Sequence, residues 1–478
     1  MEKSEETGID HRHPELWDEP DHIRKEMVRT MSHIYCHGMT TISGGNISVI
    51  DSIGNIWITP SGTDKGSLKP DEVVCVAPDG VFEGPLKPSM EYPLHREVYK
   101  VRPDVRALIH AHPPLLTSFS IVHRIPDTTM IREWDEICGT AGYAGYATPG
   151  NAAMAGRVAP EFTKGHDVVI MENHAVVAGG KDLAEALARL ETLENCARTT
   201  HAAGFIGEIM MPGDTQSDNG DLSAGSSIRE SNRDMRPGRR NSVISHDEEV
   251  LAEEICRMTV RACTRGLMYG FSGTVSSRTG HSDYLITPER ILRCDIRKQD
   301  IIKAGYGDLT GSNSFSEVAD SAVAGERAVA DNGTGSSASG SARTECIHAE
   351  IYRRFTSVNA VVTARPPYLM AYAVTGREID VRTIPESWLL LQGMPVAPFG
   401  SLSAGREEVF DKLGAGSPAV LIANDSVLVT GESLLQAFDR LEVAEMTAMS
   451  LILGESLGSV KPISEDNIDE LRRNFFSK

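Results

Sequence analysis

Between residues 22 and 38, HIRKEMVRTMSHIYCHG, apolar positions recur every three or four residues, which predicts an amphipathic helix with Gly38 as its C-terminal cap. The period then changes. NISVID and GNIWITP (46–60) read as two short strands around a turn. PLHREVYKVRPD (93–104) predicts a helix ended near Pro103, and VRALIHAH (105–112) a strand. HDVVIMENHAVVAGG (166–180) predicts one buried strand followed by a turn. DLAEALARLETLENCARTTHAAG (182–204) predicts a long helix capped by Asp182. Strands and helices alternate without the glycine spacing of a dinucleotide fold, so a layered α/β domain of about 200 residues is expected.

The pattern occurs twice. GMTTISGGNISV (38–49) lines up with GLMYGFSGTVSS (266–277), and WITPSG (57–62) with LITPER (285–290), both 228 residues apart. LHREVY (94–99) meets IHAEIY (347–352), and LIHAHPP (108–114) meets VVTARPP (361–367), now 253 apart. ALARLE (186–191) meets AFDRLE (437–442) at 251. Blocks in one order at nearly constant spacing indicate duplication. The jump in spacing marks an insert in the second copy at about 308–342, and its Gly/Ser/Ala composition predicts a disordered loop. The expected organisation is a first domain at 15–211, a disordered linker at 212–248, a second domain at 249–460 and a tail at 461–478. The linker contains RRNS (239–242), which resembles a basophilic kinase site, although the ordinary basic linker is the favoured reading.

Composition narrows the class. Of 478 residues, 40% are hydrophobic and 24% charged, as in a folded, soluble, cytoplasmic protein, and the polar acidic start predicts no secretory signal. The formal net charge of −20 argues against nucleic acid or an anionic membrane as the main partner, and no apolar run is long enough for a membrane span. The eight cysteines are scattered without a C-x-x-C pair, so reduced, mostly buried thiols are expected and no cysteine metal site.

Candidate chemistry sits in the first copy. His110 and His112 lie two apart on a strand, so both imidazoles face the same way and form half of a transition-metal site. An H-x-H pair alone is a weak signal; His174, after a second buried strand, is the third candidate. Glu91 opens a helix, where the helix terminus and a nearby cation keep a carboxylate ionised for acid/base work. SGGNIS and TPSG expose backbone N–H groups and hydroxyls that suit an anion, although for either alone a plain turn is the favoured reading.

Taken together, GNIS, ITPSG, SMEYPLH, HAHPP and ENHAVVAGG, in this order, resemble the class II aldolase/adducin family, whose founding enzymes are zinc-dependent sugar-phosphate aldolases. The resemblance covers about 195 residues of the first copy. It implies two tandem class II aldolase-like layered α/β/α domains. It places the zinc ligands on His110, His112 and His174, the acid/base on Glu91, and the phosphate-binding loops on Gly45, Asn46, Ser61, Gly62 and Ser89. The implied reaction is aldol cleavage or formation of a C–C bond in a sugar phosphate or related hydroxy-ketone through a zinc-stabilised enediolate. One departure is Met90, where the aldolases carry a second serine; the lost hydroxyl removes a contact worth about 1–2 kcal/mol. Glu91 itself differs from the epimerase branch, which has aspartate there.

In the second copy His110 becomes Thr363, His112 becomes Arg365, His174 becomes Asp425, Glu91 meets Thr344, Asn46 becomes Thr274 and Gly62 becomes Arg290. One zinc per chain and a degenerate second copy are therefore expected. His95 persists as His348 where the chemistry is lost, which groups it with structural residues. The family's ring assemblies imply a homo-oligomer, two chains making a pseudo-four-fold ring. Other metal chemistry on this fold (dehydratase, decarboxylase or oxygenase) and a non-catalytic adducin-like assembly module are the alternatives.

Overall fold

The first apolar stripe folds as α1, Pro20–Cys36, whose buried residues Ile23, Met27, Met31 and Ile34 share one face, and Gly38 then takes the left-handed conformation (φ 67°) that ends the helix. The structure, a computed structural model, describes residues 18–212, 245–280, 282–306, 341–402 and 407–476. After α1 come β1 (Asn46–Ile50), β2 (Ile56–Ile58), β3 (Val74–Val76), α2 (Tyr92–Val101), β4 (Ala107–Ala111), α3 (Pro114–Ile121), α4 (Arg132–Cys138), β5 (Gly142–Ala144), α5 (Ala152–Thr163), β6 (Val168–Met171), β7 (Ala175–Gly180) and α6 (Leu183–Ala203). The second series is α7 (His246–Thr264), β8 (Thr274–Arg278), β9 (Asp283–Ile286), β10 (Ile302–Gly305), α8 (Ser341–Arg354), β11 (Ala360–Ala364), α9 (Pro367–Thr375), α10 (Pro385–Leu391), β12 (Val396–Ala397), α11 (Glu408–Gly414), β13 (Ala419–Ile422), β14 (Ser426–Gly431), α12 (Leu434–Glu455) and α13 (Glu465–Phe476).

These elements build two seven-stranded sheets of one order, β3-β2-β1-β4-β7-β6-β5 and β10-β9-β8-β11-β14-β13-β12. Neighbours are antiparallel except β5 with β6 and β12 with β13, which are parallel. By contacts the chain divides into Met1–Thr129 with Trp134–Arg198, and Met130–Glu133 with Thr199–Lys478.

In the first unit, α2 and α5 cover one sheet face: Leu94, Val98, Val158 and Phe162 pack with Ile58, Leu108, Val169 and Val177. Ile23 of α1 and Leu183 of α6 approach Val49, which points to the opposite face. The second unit repeats this. Ile347 and Ile351 of α8 and Val409 and Phe410 of α11 pack with Tyr284, Ile286, Val361 and Val420, while α7 and α12 lie against β8, β11 and β14. Both sheets thus sit between helical layers.

One local expectation changes. HDVVIMENHAVVAGG is a hairpin, β6 and β7, rather than a single strand. The His174 amide bonds the Met171 carbonyl at 3.1 Å, and Asn173 takes the left-handed conformation (φ 53°) that closes so short a turn. The expected linker 212–248 and insert 308–342 fall almost wholly outside the described residues, as do RRNS and the first residues of the 15–211 span. Helix α7 already begins at His246. Fewer cysteines are buried than expected: among the described ones, all free thiols, Cys138, Cys196 and Cys263 are buried and Cys36 is exposed. Among the described residues no helix is long and apolar enough to cross a membrane.

Candidate metal centre

β1 and β4 pair antiparallel with Asn46 opposite His110. Leu108 points to the α2/α5 face, and strand alternation puts His110 on that face too. His112 follows just beyond β4, where its amide bonds the Met39 carbonyl at 2.9 Å, and the β6–β7 turn brings His174 to the same place. The three ring centroids lie 4.8, 5.0 and 5.5 Å apart, and one potential ligand atom from each histidine falls within 4.8 Å of the others. Among the described residues this is the one histidine, cysteine or carboxylate cluster suited to a metal.

The donor set fits a cation. His110 Nδ1 stands 3.0 Å from the Val176 carbonyl, which can only accept, so Nδ1 carries the proton and Nε2 presents a lone pair. That lone pair faces Glu91 Oε2 at 3.1 Å, two acceptors set against each other. His112 Nδ1 and His174 Nδ1 are buried without hydrogen-bond partners. Burial also favours the neutral rings, pushing His110 down to about 4, His112 down to about 3, and His174 below the ordinary histidine range. Neutral imidazoles are the form that binds transition metals.

Glu91 precedes α2 and is 7% exposed. Its Oε2 accepts from Asn46 Nδ2 at 2.7 Å, and its Oε1 lies 3.7 Å from His174 Nε2. The structure therefore brings His110, His112, His174, Glu91 and Asn46 together.

The loop residues take various places. Gly45 (φ 68°) is required: a Cβ there would stand 2.7 Å from the His110 carbonyl. Gly44 likewise leaves room for His112, whose Nδ1 would be 3.1 Å from an added Cβ. Ser89 is buried and its Oγ accepts from the Glu91 amide at 3.3 Å, so it also fixes the helix start. The Ser61 amide donates to the Lys87 carbonyl at 3.0 Å, while Gly62 is left-handed (φ 71°) with open space around it. Met90 is largely exposed.

Sequence reasoning missed Lys65. It is 2% exposed, donates to the Pro60 carbonyl at 2.5 Å, and is pushed down to about 8 by burial. Arg293, 228 residues later, is equally buried and donates to the Pro288 carbonyl at 2.6 Å. The repeat spacing could have revealed this pair.

The second unit has the same pairing, with Thr274 opposite Thr363. Their hydroxyls are 2.5 Å apart. Arg365 stands in the place of His112, its guanidinium 2.7 Å from Glu133 and 3.4 Å from Asp425, which replaces His174. Arg290 holds the left-handed backbone of Gly62 (φ 50°). The Thr344 side chain lies outside the described residues.

The model of the Class II Aldolase and Adducin N-terminal domain matches residues 25–201 and again 253–452. An L-fuculose phosphate aldolase of Methanocaldococcus jannaschii is 33% identical over 37% of this chain and 94% of its own. A 3-oxo-tetronate 4-phosphate decarboxylase of Escherichia coli (strain K12) is 30% identical over 38% of this chain and 87% of its own. A solved L-fuculose 1-phosphate aldolase is 29% identical over 40% of this chain and 91% of its own, with a TM-score of 0.38. Matched in both halves, the chain belongs to the class II aldolase and adducin family.

Proposed function

We propose that the first unit is a metal-dependent lyase that cleaves or forms a C–C bond in a sugar phosphate or related hydroxy-ketone, and that the second unit serves a structural role. The observation that carries this reading is the lone pair of His110 facing the Glu91 carboxylate beside two further buried imidazoles. Three imidazoles and a nearby carboxylate suit zinc, with His110, His112 and His174 as its holders. When bound, such an ion supplies Lewis-acid stabilisation of the negative charge that develops on the substrate's oxygens.

Glu91 then moves the proton to or from the carbon whose bond is made or broken. Asn46 holds Oε2 of that carboxylate, so the group keeps one orientation through the proton transfer. Gly45, Ser61, Gly62 and Ser89, with Asn46 at the edge, form the subsite for the distal anionic group. Both relatives reported above carry a phosphate in their names, which supports a phosphorylated substrate despite Met90. The decarboxylase relative supports a second reading, loss of carbon dioxide from a 3-oxo acid phosphate, with Glu91 protonating the resulting carbon. Two chains forming a pseudo-four-fold ring is the proposed assembly.

The test is a metal-loaded sample screened against ketose 1-phosphates, 3-oxo acid phosphates and unphosphorylated hydroxy acids. Release of an aldehyde with dihydroxyacetone phosphate supports the aldol reading, and carbon dioxide supports the second. Turnover that persists in both His110→Ala and Glu91→Gln contradicts the site.

A further inference from the structure

We propose that His95, backed by Ser48 and Tyr99, is a positioning residue for Glu91: it fixes the side-chain amide of Asn46 so that its N–H, and not its carbonyl, faces the carboxylate. This deepens the reading that Glu91 is the acid/base and rests on it.

The direction of each hydrogen bond follows from the atoms. His95 Nε2 is 2.6 Å from Asn46 Oδ1, a carbonyl oxygen that only accepts, so Nε2 carries the proton. Its Nδ1 is then a bare acceptor, and Ser48 Oγ donates to it at 2.6 Å. With its proton so used, Ser48 accepts from the Tyr99 hydroxyl at 2.7 Å. Asn46 Nδ2 finally donates to Glu91 Oε2 at 2.7 Å. Donation thus runs one way, from Tyr99 through Ser48, His95 and Asn46 to Glu91.

Every member is buried, His95 and Ser48 completely, so a link broken at that pair is not replaced by bulk water. Turning the Asn46 amide over would set its carbonyl against a carboxylate and its N–H against the His95 N–H. Two contacts would become repulsive together. The histidine tautomer therefore selects the amide orientation, and the amide selects the carboxylate oxygen that is held.

The second unit separates this task from folding. Ser276, His348 and Tyr352 repeat the frame, with Ser276 Oγ at 2.6 Å from His348 Nδ1 and 2.7 Å from the Tyr352 hydroxyl. There the last link is Thr274, 3.1 Å from His348 Nε2, and no amide is present. The frame clasps strand to helix in both units. Only the first extends it to a carboxylate beside three histidines.

The test uses the whole chain in metal-loaded form. Long-range proton–nitrogen correlation of the histidine rings should show His95 as the Nε2–H tautomer; an Nδ1–H tautomer overturns the proposal with no appeal to activity. His95→Phe should lower kcat by about 10–100-fold at unchanged KM and metal content. His95→Gln, which restores a donor, should recover most of that loss. His348→Phe, the matched change in the second unit, should cost similar thermal stability but leave kcat within about 2-fold, the ordinary scatter of a change remote from the chemistry. A kcat loss in His348→Phe equal to that in His95→Phe reduces His95 to a structural residue. Should His95→Phe not fold, Asn46→Asp replaces it, since a second carboxylate against Glu91 should cut kcat at least as far; a kcat unchanged in that variant also overturns the proposal. Lack of any wild-type turnover counts against the lyase reading, whereas turnover with an Nδ1–H His95 counts against this proposal alone.

Discussion

The two units share a frame and differ in charge chemistry. Both set a Ser–His–Tyr clasp under the central strand pair, both need glycine at the close approach (Gly45 and Gly273, φ 68° and 89°), and both bury a cation against the same proline carbonyl. They part where β4 and β11 end. The first unit gathers neutral imidazoles and a carboxylate whose acceptor atoms face one another and call for a cation. The second carries its own cation, Arg365, held by Glu133 and Asp425. Residues retained in both units build the shared frame; residues that changed together are those proposed to carry the chemistry. The guanidinium stands where the first unit has an imidazole and sets a positive charge against any incoming metal ion.

The largest effects should separate the units by activity. Glu91→Gln is expected to keep the metal and lose about 10²–10⁴ in kcat, the scale of acid/base catalysis, measured by steady-state kinetics. His112→Ala should lose metal as well. Arg365→Met, by contrast, should leave kcat within a factor of about two, as for a site remote from the chemistry.

Next come the backbone contacts that the units share. Gly45→Ala and Gly273→Ala both force a side chain into left-handed backbone, with Cβ atoms 2.7 and 3.0 Å from the carbonyls of His110 and Thr363. Each should destabilise by about 1–3 kcal/mol in thermal unfolding, but only Gly45→Ala should also impair metal affinity. Equal metal loss in both would contradict the separation of roles.

Arg365→Met should itself lower stability by about 1–3 kcal/mol, because Glu133 and Asp425 are left without their cation. Adding Asp425→Asn should return part of that loss. A stabilised single variant would show that the charge cluster does not hold the second unit together.

The smallest effect is a pH dependence. Glu194 and Glu445 each accept from the first amides of an earlier helix, Leu115 and Leu116 of α3 or Tyr368 and Leu369 of α9. Glu194 has Arg198 beside it at 3.0 Å. Burial pushes Glu445 up to about 7. A carboxyl raised in the folded state binds its proton more tightly there than in the unfolded chain. Its contribution is therefore complete below about pH 4.5 and is lost as pH rises towards 7. Glu445→Gln should flatten this part of the stability profile, and Glu194→Gln should do so less, since burial raises Glu194 as well but the Arg198 charge opposes the shift.

Much of this was legible in the sequence, for identifiable reasons. The apolar stripe of α1, the strands around Asn46 and Trp57, and the cap at Asp182 follow from local periodicity and turn chemistry. The histidine cluster came from motif order, and the repeat sorted ligands from framework. The β6–β7 hairpin reads as one strand in the sequence because the polar turn, Glu172 to His174, is only three residues long and apolar residues resume directly after it. The place of Asn46 between Glu91 and His95 depends on pairing across 45 and 49 residues, which no local pattern reports. Its trace in the sequence was the joint change of Asn46 to Thr274 and Glu91 to Thr344. Glu133 gave no signal, because its partner Arg365 lies 232 positions away (365 − 133).

The central claim, one metal centre in the first unit and an arginine-filled site in the second, is tested most directly by metal content per chain in the wild type, in His110→Ala and in Arg365→Met. The account predicts one tightly bound ion in the wild type, none in His110→Ala and one in Arg365→Met. Two ions per chain, or a full ion retained by His110→Ala, would contradict it.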